Sequence, residues 1–164
     1  MKVVIIIKQI SVILAVISMF FISACSKEGN IQHFSSEDET LDHFVQNEDI
    51  EGIIDLITTT KDEKILVIQS SGSSYFIGEL VEDNEGYYIR RISDNVDMTK
   101  GGSWELSTVG KNEYTIFFEK DKEDINYIQL SNGEYGVSLV EGHTISGDDL
   151  ALTSVIKEVE TVKD

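Results

Sequence analysis

From Gly52 to Gly142 the chain is written in short runs rich in Ile, Val, Tyr, Phe and Thr, each closed by turn residues. The runs are "GIIDLITT", "KILVIQSS", "SYFIGELV", "GYYIRRIS", "SWELSTV", "EYTIFFEK", "INYIQLS" and "YGVSLVEG". β-branched and aromatic residues at this spacing predict short antiparallel strands joined by hairpins. Asn132-Gly133 sits where a type I′ turn wants two residues at positive φ. Asp83 to Gly86 reads as a slightly longer hairpin loop, and Gly101-Gly102 as a further break. The chain holds no proline, so neither cis-proline turns nor polyproline linkers contribute.

Ahead of the strands, residues 35–48 ("SSEDETLDHFVQNE") predict a helix. Ser36 followed three positions later by Glu39 matches a capping box. Asp38 and Glu39 fall in the first turn, where the helix dipole favours negative charge. Leu41, Phe44 and Val45 form one apolar stripe, too short to hold a helix without tertiary packing. The C-terminal "SGDDLALTSVIKEVETVKD" fits either a loose helical face (Leu150, Leu152, Val155, Ile156, Val159, Val162) or a strand. The Val and Thr at its end favour the strand. The expected class is therefore α+β: a short N-terminal helix, then a mainly antiparallel meander of about seven to nine strands. Such a sheet closes as a β-sandwich or an open barrel.

The N-terminal segment is of another kind. Lys2 and Lys8 precede an uncharged run from Gln9 to Ala24, and small residues precede Cys25, the chain's only cysteine. A positive start, an apolar stretch and small residues at a cleavage point make a secretory signal. A lone cysteine forms no internal disulfide and no cysteine-based zinc cluster. Ile22-Ser23-Ala24-Cys25 resembles the bacterial lipobox. That resemblance implies diacylglyceryl transfer to the Cys25 thiol, cleavage between Ala24 and Cys25, and acyl chains such as palmitate in the membrane. Two chains anchor firmly where one binds only marginally. The expected organisation is a lipoprotein signal peptide over 1–24, a flexible tether over 25–35 and a single β-rich domain over 36–164. The mature part resembles small uncharacterised lipoproteins of Gram-positive spore-formers in its Gly78-Glu79-Leu80, Gly86-Tyr87-Tyr88 and Gly102 to Leu106 segments. That resemblance implies no activity.

Charge narrows the partners. Acidic residues number 30 against 13 basic ones, a net charge of -17, and loss of residues 1–24 with their two lysines brings this to -19. So acidic a domain is repelled by anionic lipid headgroups and by nucleic acid, and the latter is excluded as a partner. The surface serves solubility, a divalent cation or a basic partner.

Catalytic patterns are sparse. His33 in the tether and His43 on the helix lack metal-ligand spacing and read as solvated. "VEGHTISGDDL" gathers Glu141, His143, Asp148 and Asp149 with Gly142 and Gly147. That loop suits a cation or a hydrogen-bonded acid/base pair, and equally a polar connection capped by Asp148 or Asp149. The acids of "FEKDKEDIN" (Glu119, Asp121, Glu123, Asp124) are interrupted by lysines and lack a glycine, so they read as a solvated hairpin loop. Asp94, Asn95 and Asp97 do not have calcium-loop spacing. "SSGSS" at Ser70 to Ser74 lacks the flanks of a nucleophile elbow, and no dinucleotide or phosphate-loop motif occurs. Trp104, Tyr87, Tyr88 and Tyr127 form either an exposed aromatic surface or the half-buried face of a sheet.

These observations predict no metal, no cofactor and no enzymatic activity. They point to a lipid-anchored extracytoplasmic binding or regulatory module at the cell membrane, with an unidentified protein or envelope partner. Two alternatives stand beside it. One is an envelope-acting hydrolase using His143 with Glu141 or Asp148. The other is an assembly protein whose acidic face binds a cationic partner or divalent ions.

Overall fold

The structure is a computed structural model that describes residues 31–48, 50–120, 125–144 and 153–163. Residues 1–24, the Ala24–Cys25 junction, Asp121 to Asp124, Asp148, Asp149, Leu150 and Leu152 lie outside the described residues. One compact unit runs from Gln32 to Asp164. Its described part holds one helix and ten strands, all pairs antiparallel. No helix among the described residues is long and apolar enough to cross a membrane.

Helix α1 (Glu37–Asn47) starts as its sequence dictates. Ser36 is extended and its side chain accepts from Glu39 N–H. The expected reciprocal bond is shifted by one residue: the Glu39 carboxylate accepts from Ser35 N–H at 3.2 Å and Ser35 Oγ–H at 2.7 Å. The backbone donor that Glu39 satisfies is therefore that of Ser35. Glu37, Asp38 and Glu39 occupy the first turn.

The strands are β1 (Ile54–Thr59), β2 (Lys64–Ser71), β3 (Ser74–Asp83), β4 (Gly86–Arg91), β5 (Val96–Asp97), β6 (Gly102–Ser107), β7 (Glu113–Lys120), β8 (Ile128–Gln129), β9 (Tyr135–Glu141) and β10 (Ile156–Lys163). They form two sheets and no closed barrel. The first has the order β10-β1-β2-β3-β4, with β5 on β3; the second has the order β6-β7-β9-β8. The meander expectation thus holds for β1 to β4 only. In the second sheet β7 pairs directly with β9, and β8, which lies between them in sequence, pairs on the far side of β9.

Alternation along β1 to β3 explains why those strands are buried almost throughout. Ile57, Ile65, Val67, Tyr75 and Ile77 share a core with Leu106, Tyr114, Ile116, Phe118, Val137 and Leu139 of the second sheet. Their neighbours Ile54, Leu56, Leu66, Ile68, Phe76 and Leu80 pack with Leu41, Phe44 and Val45 of α1. A sheet covered on both faces needs apolar residues at successive positions, not a period of two. Aromatic rings set the inner core: Tyr75 lies 5.6 Å from Phe118 and 5.5 Å from Tyr135, and Trp104 stacks on Phe118 at 5.1 Å. Each such pair adds roughly 0.5–1.5 kcal/mol beyond its buried area.

The C-terminal segment is a strand, and its helix-like spacing has a structural cause. Thr58 faces Glu158 and Thr59 faces Ile156, so Lys157 is an extra residue; Ile54 faces Lys163 and Asp55 faces Thr161, so Val162 is another. Two bulges reset the alternation. Ile156 and Val159 consequently meet the inter-sheet core while Val162 meets the helix-side core. The bulges, with Lys157, Glu158, Glu160 and Lys163, also protect a sheet edge.

Two turns differ from expectation. Asp83 pairs with Gly86, leaving a loop of only Asn84 and Glu85. At Asn132-Gly133 only Gly133 takes positive φ, at 71°, and Gly133 N–H donates to Leu130 O at 2.9 Å. Leu130 N–H also donates to Tyr135 O, so the loop is four residues long and the turn is not type I′.

Candidate functional site

Among the described residues one concavity is a cleft of about 630 Å³. The start of α1, the β1–β2 turn, the second half of β3, the start of β4 and the β6–β7 turn converge on it. Six carboxylates line it, from Glu37, Asp62, Glu63, Glu79, Glu82 and Asp83, against one cation, Lys64. Leu80, Val81, Val109, Tyr87 and Tyr88 supply its apolar and aromatic surface.

The deepest acids also fasten the two sheets together. Glu63 Oε1 accepts from Thr108 Oγ1–H and Asn112 Nδ2–H, both at 2.8 Å, and its Oε2 accepts from Tyr114 O–H. Burial raises the Glu63 pKa, but these hydrogen bonds outweigh it, and the carboxyl is held below its ordinary value. The same contact and burial push the Tyr114 phenol well upward. Glu79 is 5% exposed, and its Oε2 accepts Val109 N–H at 2.6 Å. Burial raises its pKa, as does the nearby Glu63 charge, against the Val109 hydrogen bond and the Arg90 charge. Beyond the cleft, Asp55, 1% exposed, accepts from Ser131 N–H at 3.2 Å and Ser131 Oγ–H. Burial pushes its pKa up.

On the rim, Lys64 pairs with Glu37 and Lys157 with Asp62 at 2.8 Å. Asp83 Oδ2 lies 3.1 Å from His33 Nε2, and Glu85 Oε2 lies 3.5 Å from His33 Nδ1. The His33 ring also meets Tyr88 edge-on at 5.0 Å. His33 therefore sits half-buried among acids instead of fully solvated, and Phe34 bridges to Tyr87 by two backbone hydrogen bonds. The end of the expected tether is thus docked on β4. Gly86 permits this approach, because a Cβ there would lie 2.3 Å from Phe34 O.

His43 takes a hydrogen bond from Asn47 Nδ2 and packs against Phe34 at 4.5 Å. His143 Nδ1 lies 3.6 Å from Glu105, and its Nε2 is 3.3 Å from Leu106 O. Glu141, one of the two partners expected for it, pairs instead with Lys61 at 3.1 Å, and the other, Asp148, lies outside the described residues. Among the described residues no three His, Cys, Asp or Glu side chains gather as a metal site. Asp97 accepts from Thr99 within its turn, and Asn95 accepts from Arg91. The aromatics do not form one surface. Tyr87 and Tyr88 line the cleft, Tyr127 O–H donates to Glu119, and Trp104 packs on the core with its Nε1 buried and unpartnered.

Sequence reasoning passed over Asp55, Glu63 and Glu79. The signal was present for two of them: Asp55 interrupts "IIDLI" and Glu79 interrupts "FIGELV", each a charge inside an otherwise apolar strand. Comparison of the chain with protein-family models, with curated proteins and with solved structures finds no match.

Proposed function

We propose that the chain is a lipid-anchored, non-enzymatic binding or regulatory module on the extracytoplasmic face of the cell membrane, and that it engages a cationic partner through the acidic cleft. The observation that carries the reading is Ile22-Ser23-Ala24-Cys25 at the end of an apolar run, seven residues before the compact unit begins at Gln32. Lipidation at Cys25 would leave a short polar tether ahead of the compact unit. The cleft supports the binding part: carboxylates outnumber lysines there six to one, beside two tyrosine rings. Carboxylates with aromatic faces suit amine and guanidinium groups, which gain both Coulomb and cation–π attraction.

The two parts are tested separately. Cys25→Ala should move the chain out of the detergent phase in phase-partition experiments on expressing cells; equal partition of the two chains refutes the anchor. A lysine-rich peptide should bind the wild-type chain more weakly as salt rises, since exposed charges are screened within about 8 Å at physiological ionic strength. Charge reversal at Glu82 and Asp83 should abolish that binding. Binding that ignores both salt and charge reversal refutes the cationic partner.

A further inference from the structure

Residues 32–34 lead into α1 and dock at the rim of the acidic cleft. Phe34 N–H donates to Tyr87 O at 2.8 Å, and Tyr87 N–H donates to Phe34 O at 2.9 Å. Phe34 also packs on His43 at 4.5 Å, and Gly86 leaves room for Phe34 O. This seat aims the His33 side chain at the β3–β4 turn. Its Nε2 lies 3.1 Å from Asp83 Oδ2, its Nδ1 lies 3.5 Å from Glu85 Oε2, and its ring meets Tyr88 edge-on at 5.0 Å. At 17% exposure the His33 side chain is docked there and not loosely solvated. Asp83 and Tyr88 line the cleft, and Glu85 stands outside its lining. Asp83 Oδ1 accepts Glu85 N–H at 2.8 Å, so with His33 docked each oxygen of Asp83 already has a partner. The Glu85 N–H and His33 hold the Asp83 carboxyl below its ordinary value, so it is ionised at neutral pH. A carboxylate only accepts, and His33 therefore presents an N–H to it.

We infer that His33 is a tethered competitor of the cationic partner: it fills a rim subsite of the acidic cleft, built from Asp83, Glu85 and Tyr88, that takes a lysine or arginine side chain once residues 32–34 let go. The competition rests on the cationic-partner reading of the cleft. Two carboxylates beside a tyrosine ring suit an ammonium or guanidinium group, and the His33 ring meets the same three residues. A partner cation that pairs with Asp83 draws on the oxygen that His33 holds. The contact joins groups partly open to water, where such pairs are weak and exchange readily. Docking of the segment therefore lowers the partner's apparent affinity by the fraction of chains in which the subsite is free.

The full chain is titrated with the lysine-rich peptide, and hydrogen exchange is followed at the Phe34 and Tyr87 amides. His33→Ala should tighten peptide binding by about tenfold, the gain for a segment docked in about nine chains of ten. A misfolded chain would not show that gain. Glu85→Gln separates competition from plain electrostatics. It removes a negative charge, so attraction alone predicts weaker binding of the peptide. Competition predicts tighter binding, because His33 loses one of its two carboxylates. Saturating peptide should also speed exchange at Phe34 and Tyr87 in the wild-type chain, since their mutual hydrogen bonds open when the segment is displaced. Equal affinity of the wild-type and His33→Ala chains, or weaker binding by both variants, overturns the competition and leaves the cationic partner standing. A peptide that binds neither the wild-type nor the His33→Ala chain refutes the cationic partner, and the competition with it.

Discussion

Three carboxylates that belong to the first sheet reach donors on the second: Glu63 and Glu79 at the β6–β7 turn, and Asp55 at Ser131. They differ in how well they are compensated. Glu63 has three side-chain donors and is held ionised, so removing one donor should be costly. Tyr114→Phe should lose about 1.5–3 kcal/mol, the range for a hydrogen bond to a charged group, read as a lower urea midpoint at unchanged slope. Glu79 has one backbone N–H and a raised pKa, so its ionised form is a burden at neutral pH. Glu79→Gln keeps an acceptor for Val109 N–H and removes the buried charge. It should raise the melting temperature at pH 7 and leave it nearly unchanged at pH 4, where Glu79 is already protonated. A lower melting temperature at pH 7 would show that the Glu79 charge is needed there. Asp55 and Glu79 were visible in the sequence as charges inside apolar strands. Their hydrogen-bonding partners were not, because Ser131 and Val109 lie 76 and 30 residues away.

The elements divide by whether local chemistry or distant pairing decides them. β2 and β7 coincide with the runs "KILVIQSS" and "EYTIFFEK", and the N-terminus of α1 falls at its Ser36 cap. These were legible because β-branching and capping act within a few residues. β8 is limited to Ile128–Gln129 although "INYIQLS" has strand composition, because its ladder with β9 runs only over Ile128–Val137 and Gln129–Gly136. Asn132-Gly133 has the composition of a tight turn, but the Leu130–Tyr135 hydrogen bond lengthens the loop, and Asn132 donates its Nδ2–H to the Tyr75 hydroxyl oxygen and accepts Glu134 N–H on Oδ1. The spacing of β10 mimicked a helix because its bulges depend on β1. The helix itself depends on its stripe. Leu41→Ala should cost about 2–3 kcal/mol, the lower part of the range for a buried leucine, measured by thermal or urea unfolding. A loss below about 0.5 kcal/mol would mean that α1 is not fastened to the sheet.

For the molecule as a whole, charge governs behaviour. Between neutral pH and the isoelectric point near 4.4 the net charge of -17 falls toward zero, and self-repulsion falls with it. Asp55 and Glu79 act in the same direction. An acid whose folded pKa is raised binds its proton more tightly in the folded state, so its penalty sets in as pH rises from the unfolded value, 3.8 or 4.5, through the folded one. Glu63 opposes them only below 4.5, where its hydrogen-bonded carboxylate is protonated. Melting temperature should therefore rise on acidification from pH 7 toward about pH 4.5 and fall only below it. A steady fall over that interval would contradict this balance.

The proposed anchor would give that acidic domain its place, and the chemistry of one residue tests it. Mass spectrometry of the chain purified from membranes of cells that express it reads the mature N-terminus directly. The account predicts a chain that begins at Cys25 and carries a diacylglyceryl group on its sulfur. A membrane-bound chain that still begins at Met1, or one cut elsewhere with an unmodified Cys25, would contradict it.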